Sequence, residues 1–234
     1  MTYTLLFLAI LMAVFVGWLV RQSVNVTPWV ANHGQAATLR QAPEWFTGPR
    51  VGLVVFLAVV TSVFGLTLSA YMMRMAATDD WQFLPMPTSG WFNFAMLVLA
   101  SVALQTTWSA AKRANDSLFW AALALGTGST AAFLLGQYLL WRDLVGVGYY
   151  ASAFVGSAFY ALMSTLHGLH LLGGLFALGR VVLRLQQGAS LAQMREAVGL
   201  CALYWHFLLL VWAVLFGALF VGAEPLYAFC RSGL

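Results

Sequence analysis

The sequence predicts an all-α fold: a polytopic bundle of about six transmembrane helices with no soluble domain. Three observations carry this prediction. Of 234 residues, 62% are hydrophobic and only 8% are charged, whereas a water-facing surface needs roughly a quarter of its residues charged. The apolar residues come in runs of about 20, enough to cross roughly 30 Å of hydrocarbon, and not in the alternating segments of about ten that build a membrane barrel. The eleven basic residues divide unevenly between alternate loops, as membrane insertion requires.

The predicted spans are 3–20, 51–73, 91–111, 117–140, 151–183 and 198–222. The first lacks a basic start and an Ala-x-Ala-like site before Arg21, so it reads as a retained helix and not a signal peptide. The 21–50 stretch is the longest polar segment. Pro28, Pro43 and Pro49 interrupt it, and Trp29, Trp45 and Phe46 suit a path along the headgroup region. Pro85, Pro87 and Gly90 mark the 74–90 connection as a turn. The fifth span, roughly 30 residues at about 1.5 Å each, outreaches the hydrocarbon and must tilt or protrude. Two small-residue features on it, Ser164 with Gly168 and the pair Gly173–Gly174, are expected to let helices approach closely. Cys201 and Cys230 are each read as small buried residues that do not pair with one another.

With six spans, one side of the membrane receives Arg21, Arg40, Arg50, Lys112, Arg113, Arg180, Arg184 and Arg195, eight of the eleven basic residues. The other receives Arg74, Arg142 and Arg231. The basic side is cytoplasmic by the positive-inside rule, which places both termini outside. The net charge of +4 is thus a topology signal. There is no basic stripe with interleaved aromatics, so a nucleic-acid partner is excluded.

Ionisable groups within spans mark functional sites by default, and here they are few: His167 and His170 on the fifth span and His206 on the sixth. No carboxylate falls near a span centre, which argues against a pump, channel or coupled transporter. His167 and His170 stand at i, i+3 and share a helix face. Zinc or haem would require His206 as a further ligand, and carboxylates to orient the rings are lacking nearby. The alternative is that each ring bonds a neighbouring carbonyl, hydroxyl or lipid headgroup. Ser101, Gln105, Thr106, Thr107 and Ser109 make the third span the most polar. Hydroxyls can return their bond to the helix backbone, but Gln105 needs a partner on another helix, and Gln137 on the fourth span is of the right type.

Two runs resemble a known family. Ser164-Thr165-Leu166-His167-Gly168-Leu169-His170-Leu171-Leu172-Gly173-Gly174 is similar to the Gly-x-His-Gly-Leu-His-(x)2-Gly signature of subunit III of the haem–copper terminal oxidases. Tyr204-Trp205-His206-Phe207-Leu208-Leu209-Leu210-Val211-Trp212 resembles that family's Tyr-Trp-His-Phe-(x)3-Val-Trp. Gly52, Phe56, Phe64, Tyr71 and Arg74, then Asn93 with Ala100-Ser101, then Phe133 with Gln137, fit its pattern upstream. The resemblance covers roughly 51–222. It departs at positions where the family carries acids: Val60, Leu140, Gly199 and Leu209 stand there.

The resemblance implies an extra N-terminal helix and cytoplasmic loop over 1–50 and a five-helix core over 51–234. It implies a non-catalytic accessory subunit of a proton-pumping terminal oxidase in the bacterial inner membrane, one that stabilises the catalytic subunit. No cofactor is expected in this chain. Haem and copper belong to the partner catalytic subunits, and bound phospholipid is expected here. The main partner is oxidase subunit I, with other oxidase subunits and membrane lipids. No residue is assigned a catalytic, cofactor-binding or metal role. His167, His170, His206, Gln105, Gln137, Arg180 and Arg184 are the structural or lipid-contact candidates, the two arginines as contacts to lipid phosphate. The alternatives are an accessory subunit of a nitric-oxide reductase, a b-type haem membrane cytochrome using the three histidines, or a transporter.

Overall fold

The computed structural model describes residues 48–77, 81–85, 88–150 and 153–232. The predicted first span and most of the 21–50 loop lie outside the described residues, as do the side chains of Cys230 and Arg231. The described bundle belongs to one compact unit, Thr47–Leu234.

Five long helices follow one another: α1 (Gly48–Ala77), α2 (Thr88–Lys112), α3 (Asp116–Gly146), α4 (Val155–Gln186) and α5 (Leu191–Phe216). All five are long and apolar enough to cross a membrane, and no strand occurs among the described residues. The chain is a multi-pass membrane protein. The helix ends depart from the apolar stretches that predict them, because hydropathy does not register caps. Asn115 opens α3 by accepting from the Leu118 amide, and Ser190 opens α5 in a reciprocal capping box with Gln193. Hence α5 begins at Leu191 and not at 198. Likewise α1 starts at Gly48, inside the stretch expected to be loop.

Beyond α5 the helix loosens into a π-helical turn, Gly217–Val221, closed by the Gly222 amide on the Gly217 carbonyl at 2.7 Å. A short helix, α6 (Ala223–Ser232), follows, with Glu224 and Pro225 in its first turn. The sequence reading missed α6. Its apolar residues are too few for a span and are gathered on one side, the pattern of a helix lying in the membrane interface.

The order of packing is not the order of the chain. Helices α2 and α3 form the tightest pair, and α5 packs on α1, α2 and α4. So α5 is central and α1 peripheral: half of the most apolar stretch of α5 is buried, against 11% for α1. The core is built of large side chains that leave little void, with Trp205, Trp212, Tyr71, Tyr160, Phe119 and Phe133 each under 2% exposed or close to it. In lipid, such dispersion contacts replace the hydrophobic effect as the force between helices.

Six of the eight basic side chains among the described residues, all but Arg74 and Arg142, gather at one end of the bundle. Arg50 pairs with Glu196 at 3.1 Å, Arg195 Nη2 donates to the Lys112 carbonyl at 3.4 Å, and the Lys112 ammonium lies 3.2 Å from the centre of the Trp108 ring. Of the described carboxylates, Asp116, Asp143 and Glu224 sit in the first or last turns of their helices, and Glu196 lies in the second turn of α5. Val60 and Leu140, which stand where the resemblance pattern has acids, are buried in the apolar core at 2% and 4% exposure.

Candidate functional site

A cleft of about 560 Å³ opens between α1, α4 and α5. Its walls are apolar save for a few groups: the His170 ring, the Tyr204 hydroxyl and the Cys201 thiol. Its floor is made by absent side chains. A Cβ added at Gly52 or at Gly173 would meet nothing within 4 Å. The wall on α4 continues along one face through His170, Gly173 and Ala177 to Arg180 and Arg184, spaced three and four apart. Both arginines are exposed at the basic end. The site is therefore a greasy slot, with two cations on the same helix face about one and two turns beyond its lining.

The neighbouring glycine does the opposite work. A Cβ on Gly174 would come within 2.8 Å of Tyr204 Cε1 and 3.0 Å of the Trp205 ring, so this is where α4 and α5 touch. Tyr204 reinforces the junction by donating to the His170 carbonyl at 3.0 Å. Gly168, expected with Ser164 to let another helix approach closely, does not do so. Its added Cβ would lie 3.7 Å from Leu134, an ordinary contact, and both residues line a second cleft of about 290 Å³ between α3 and α4. Close approach occurs instead at two glycines for which spacing gives no signal. Gly199 faces Trp108, 2.6 Å from a would-be Cβ, and Gly136 faces the Asn93 carboxamide. The position where the family pattern has an acid is filled here by a tryptophan ring.

The three histidines do not converge. His167 is fully buried, enclosed by Phe64, Phe133 and Trp212 with ring centres 6.3, 5.8 and 5.0 Å away. Neither of its ring nitrogens meets a hydrogen-bond partner among the described residues. The His170 Nδ1 bonds its own helix at the Leu166 carbonyl, 2.7 Å away, while its ring rests against Phe64 and Phe56. His206 turns to α2. Its Nδ1 meets the Ser101 hydroxyl at 2.5 Å and its Nε2 the Gln105 carboxamide oxygen at 3.1 Å. No group of three metal-ligating side chains is brought together among the described residues.

Gln105 and Gln137 do not pair with each other. The two helices that carry them run antiparallel, which sets Gln137 against the start of α2. Its amide donates to Tyr160 Oη at 2.7 Å and to Ser164 Oγ at 3.2 Å, and its oxygen accepts from Asn93 at 3.4 Å. One carboxamide thus ties α2, α3 and α4. Asn93 and Tyr160 are each only 2% exposed, so replacing Gln137 with Leu strands them without water. We expect Gln137→Leu to cost about 2 kcal/mol, read as a lower midpoint in thermal unfolding of the detergent-solubilised chain. Tyr160 was not legible as a member of this network; only the antiparallel register brings it there.

No protein-family model matches the chain. It is 29% identical over 203 residues to the cytochrome c oxidase subunit 3 of Thermostichus vulcanus, a match covering 82% of this chain and 96% of that one. It is 30% identical over 180 residues to the probable cytochrome c oxidase subunit 3 of Nocardia farcinica, covering 73% and 86%. Identity is also 30% over 178 residues with the cytochrome c oxidase subunit 3 of Synechocystis sp., covering 70% and 72%. These matches cover 96%, 86% and 72% of the relatives' own lengths, so the chain belongs to the cytochrome c oxidase subunit 3 family.

Proposed function

We propose that the chain is the accessory subunit III of a haem–copper terminal oxidase, packing on the catalytic subunit and holding phospholipid in the α1–α4–α5 cleft. The observation that carries this is how the histidine motifs are spent. His206 uses both ring nitrogens to join α5 to α2, His170 turns a nitrogen back to its own helix, and Tyr204 and Gly174 seat α4 on α5. Side chains so engaged hold helices together. The same commitments weigh against the b-type cytochrome, which needs histidines opposed across two helices with free nitrogens. The charge bias supports an orientation with the basic end cytoplasmic and the cleft opening toward the inner leaflet of the bacterial plasma membrane.

Lipid suits the cleft on physical grounds. A slot lined by glycine and apolar side chains accepts an acyl chain, and Arg180 and Arg184 beyond its lining supply cations where a phosphate would lie. Gly173→Leu tests this without threatening the fold, since nothing stands within 4 Å of the new Cβ. Mass spectrometry of the complex purified in mild detergent should find one or more phospholipids lost from the variant, with helix content unchanged. Full retention would remove lipid from the proposal.

The assignment itself is tested by purifying the tagged chain in mild detergent and identifying what comes with it. A haem–copper catalytic subunit is expected, with all haem absorbance travelling with that partner. A Soret band from the isolated chain would overturn the accessory role. Co-purification with a nitric-oxide reductase catalytic subunit would replace the oxidase by its relative.

A further inference from the structure

The outward face of α2 and α5 carries a hydrogen-bonding group whose needs the described residues leave unmet. With the Gln105 oxygen accepting from His206 Nε2, the imidazole proton is on Nε2, and Nδ1 accepts from the Ser101 hydroxyl. Both ring nitrogens and the amide oxygen are thereby engaged. The two N–H bonds of the Gln105 amide are not: among the described residues they meet no acceptor, although the residue is only partly covered.

The position of this group decides what can satisfy it. Helix α2 ends at Lys112, so Gln105 lies two turns in, about 10 Å along the axis. The 25-residue helix is about 37 Å long and overhangs a roughly 30 Å hydrocarbon layer by only a few Å at each end. Gln105 therefore sits inside the hydrocarbon, below the ester and phosphate oxygens of the lipids, where an unmatched N–H is costly. Several other outward polar groups avoid this. Thr61, Ser62, Thr67, Thr106 and Ser109 each donate to the carbonyl four residues back, and Trp91, Trp120 and Trp141 stand near helix ends, within reach of headgroups. Around Gln105 the face is apolar and open, with Val102, Leu203 and Leu210 at 57%, 48% and 63% exposure.

We infer that this face is the docking surface for a transmembrane helix of the catalytic subunit, one that presents a hydrogen-bond acceptor to the Gln105 amide. The inference rests on the accessory-subunit reading and names the surface through which it acts. A protein helix is the occupant because only protein carries acceptors at that depth, and the Val102, Leu203 and Leu210 side chains supply the apolar bed on either side.

The test uses the intact complex in mild detergent, with the photo-crosslinker p-benzoylphenylalanine at Val102. Illumination should join the chain to the catalytic subunit, with at least about a tenfold lower yield from the same group at Leu66, which is 73% exposed on α1. In parallel, Gln105→Leu should lower the catalytic subunit retained through a detergent wash by about tenfold, the loss of one such bond. Ser101→Ala, which releases His206 on its inner side only, should retain it as the wild type does. An adduct to lipid alone or to a second copy, equal yields from Val102 and Leu66, full retention by Gln105→Leu, or equal loss from Ser101→Ala would each overturn the inference. If no catalytic subunit accompanies the wild-type chain, the accessory-subunit reading falls and takes this one with it. If it does accompany the chain but gives no adduct at Val102, only the docking surface is wrong.

Discussion

Trp205→Ala should lower the stability of the bundle by about 3 kcal/mol, the low end of the range for excising a buried aromatic ring. The side chain is fully buried at the centre of α5, and its Nε1 donates to Thr130 Oγ1 on α3 at 3.1 Å. Removing it opens a cavity beside Gly174 and leaves Thr130, also fully buried, with only its own helix: that hydroxyl already bonds the Gly126 carbonyl at 2.8 Å. The low end applies because lipid is as apolar as the core, so the transfer component vanishes and the lost dispersion contacts and hydrogen bond remain. A melting curve of the purified chain in detergent, followed by circular dichroism at a helix band, would measure it. Trp205→Phe should recover more than half of the loss, since it restores most of the ring and forfeits only the N–H. A variant with an unchanged midpoint would show that α5 is not the central helix.

The second large effect separates two adjacent glycines. Gly174→Leu forces a side chain into Tyr204 and Trp205, both held in place by hydrogen bonds to other helices. Overpacking of this kind costs about 1–3 kcal/mol where neighbours can shift; here the obstacles are rings and not flexible chain ends, so the upper part of that range applies. Gly173→Leu, one residue away, projects into the open cleft and should leave the melting midpoint within about 0.5 kcal/mol of the parent. The contrast is the measurement. If the two variants melt alike, the rotation of α4 about its axis is not the one described, and the cleft loses its floor.

The fold was legible because of a constraint the bilayer imposes. Backbone groups in hydrocarbon must be satisfied within the segment, so long uncharged runs can only be helices, and five of the six predicted spans correspond to α1–α5, the first span lying outside the described residues. Helix ends were less legible: Ser190 and Gln193 extend α5 by a turn and more beyond its apolar run, and hydropathy is blind to a capping box. The family was legible in residues 164–174 and 204–212, and the matches to known relatives agree. The partners of the polar groups were not. That Gln105 reaches His206 while Gln137 reaches Tyr160 and Asn93 depends on which helices are neighbours, and chain order does not reveal that α5 lies against α2.

By itself, then, the sequence determined the medium and the architecture. A chain with 8% charged residues has one place to fold, and there its backbone has one way to satisfy its hydrogen bonds. It also carried the two motifs that mark the family. Tertiary structure alone decided what the motif residues do: that one histidine lies in an aromatic cage and another binds α2, that Gly174 is a contact and Gly173 an opening, that Gly199 makes room for Trp108. The reason is physical. Hydropathy is a one-dimensional property that each residue contributes locally, whereas a close contact or a hydrogen bond between helices depends on the azimuth and register of two elements far apart in the chain. Those are set only when the whole bundle has packed.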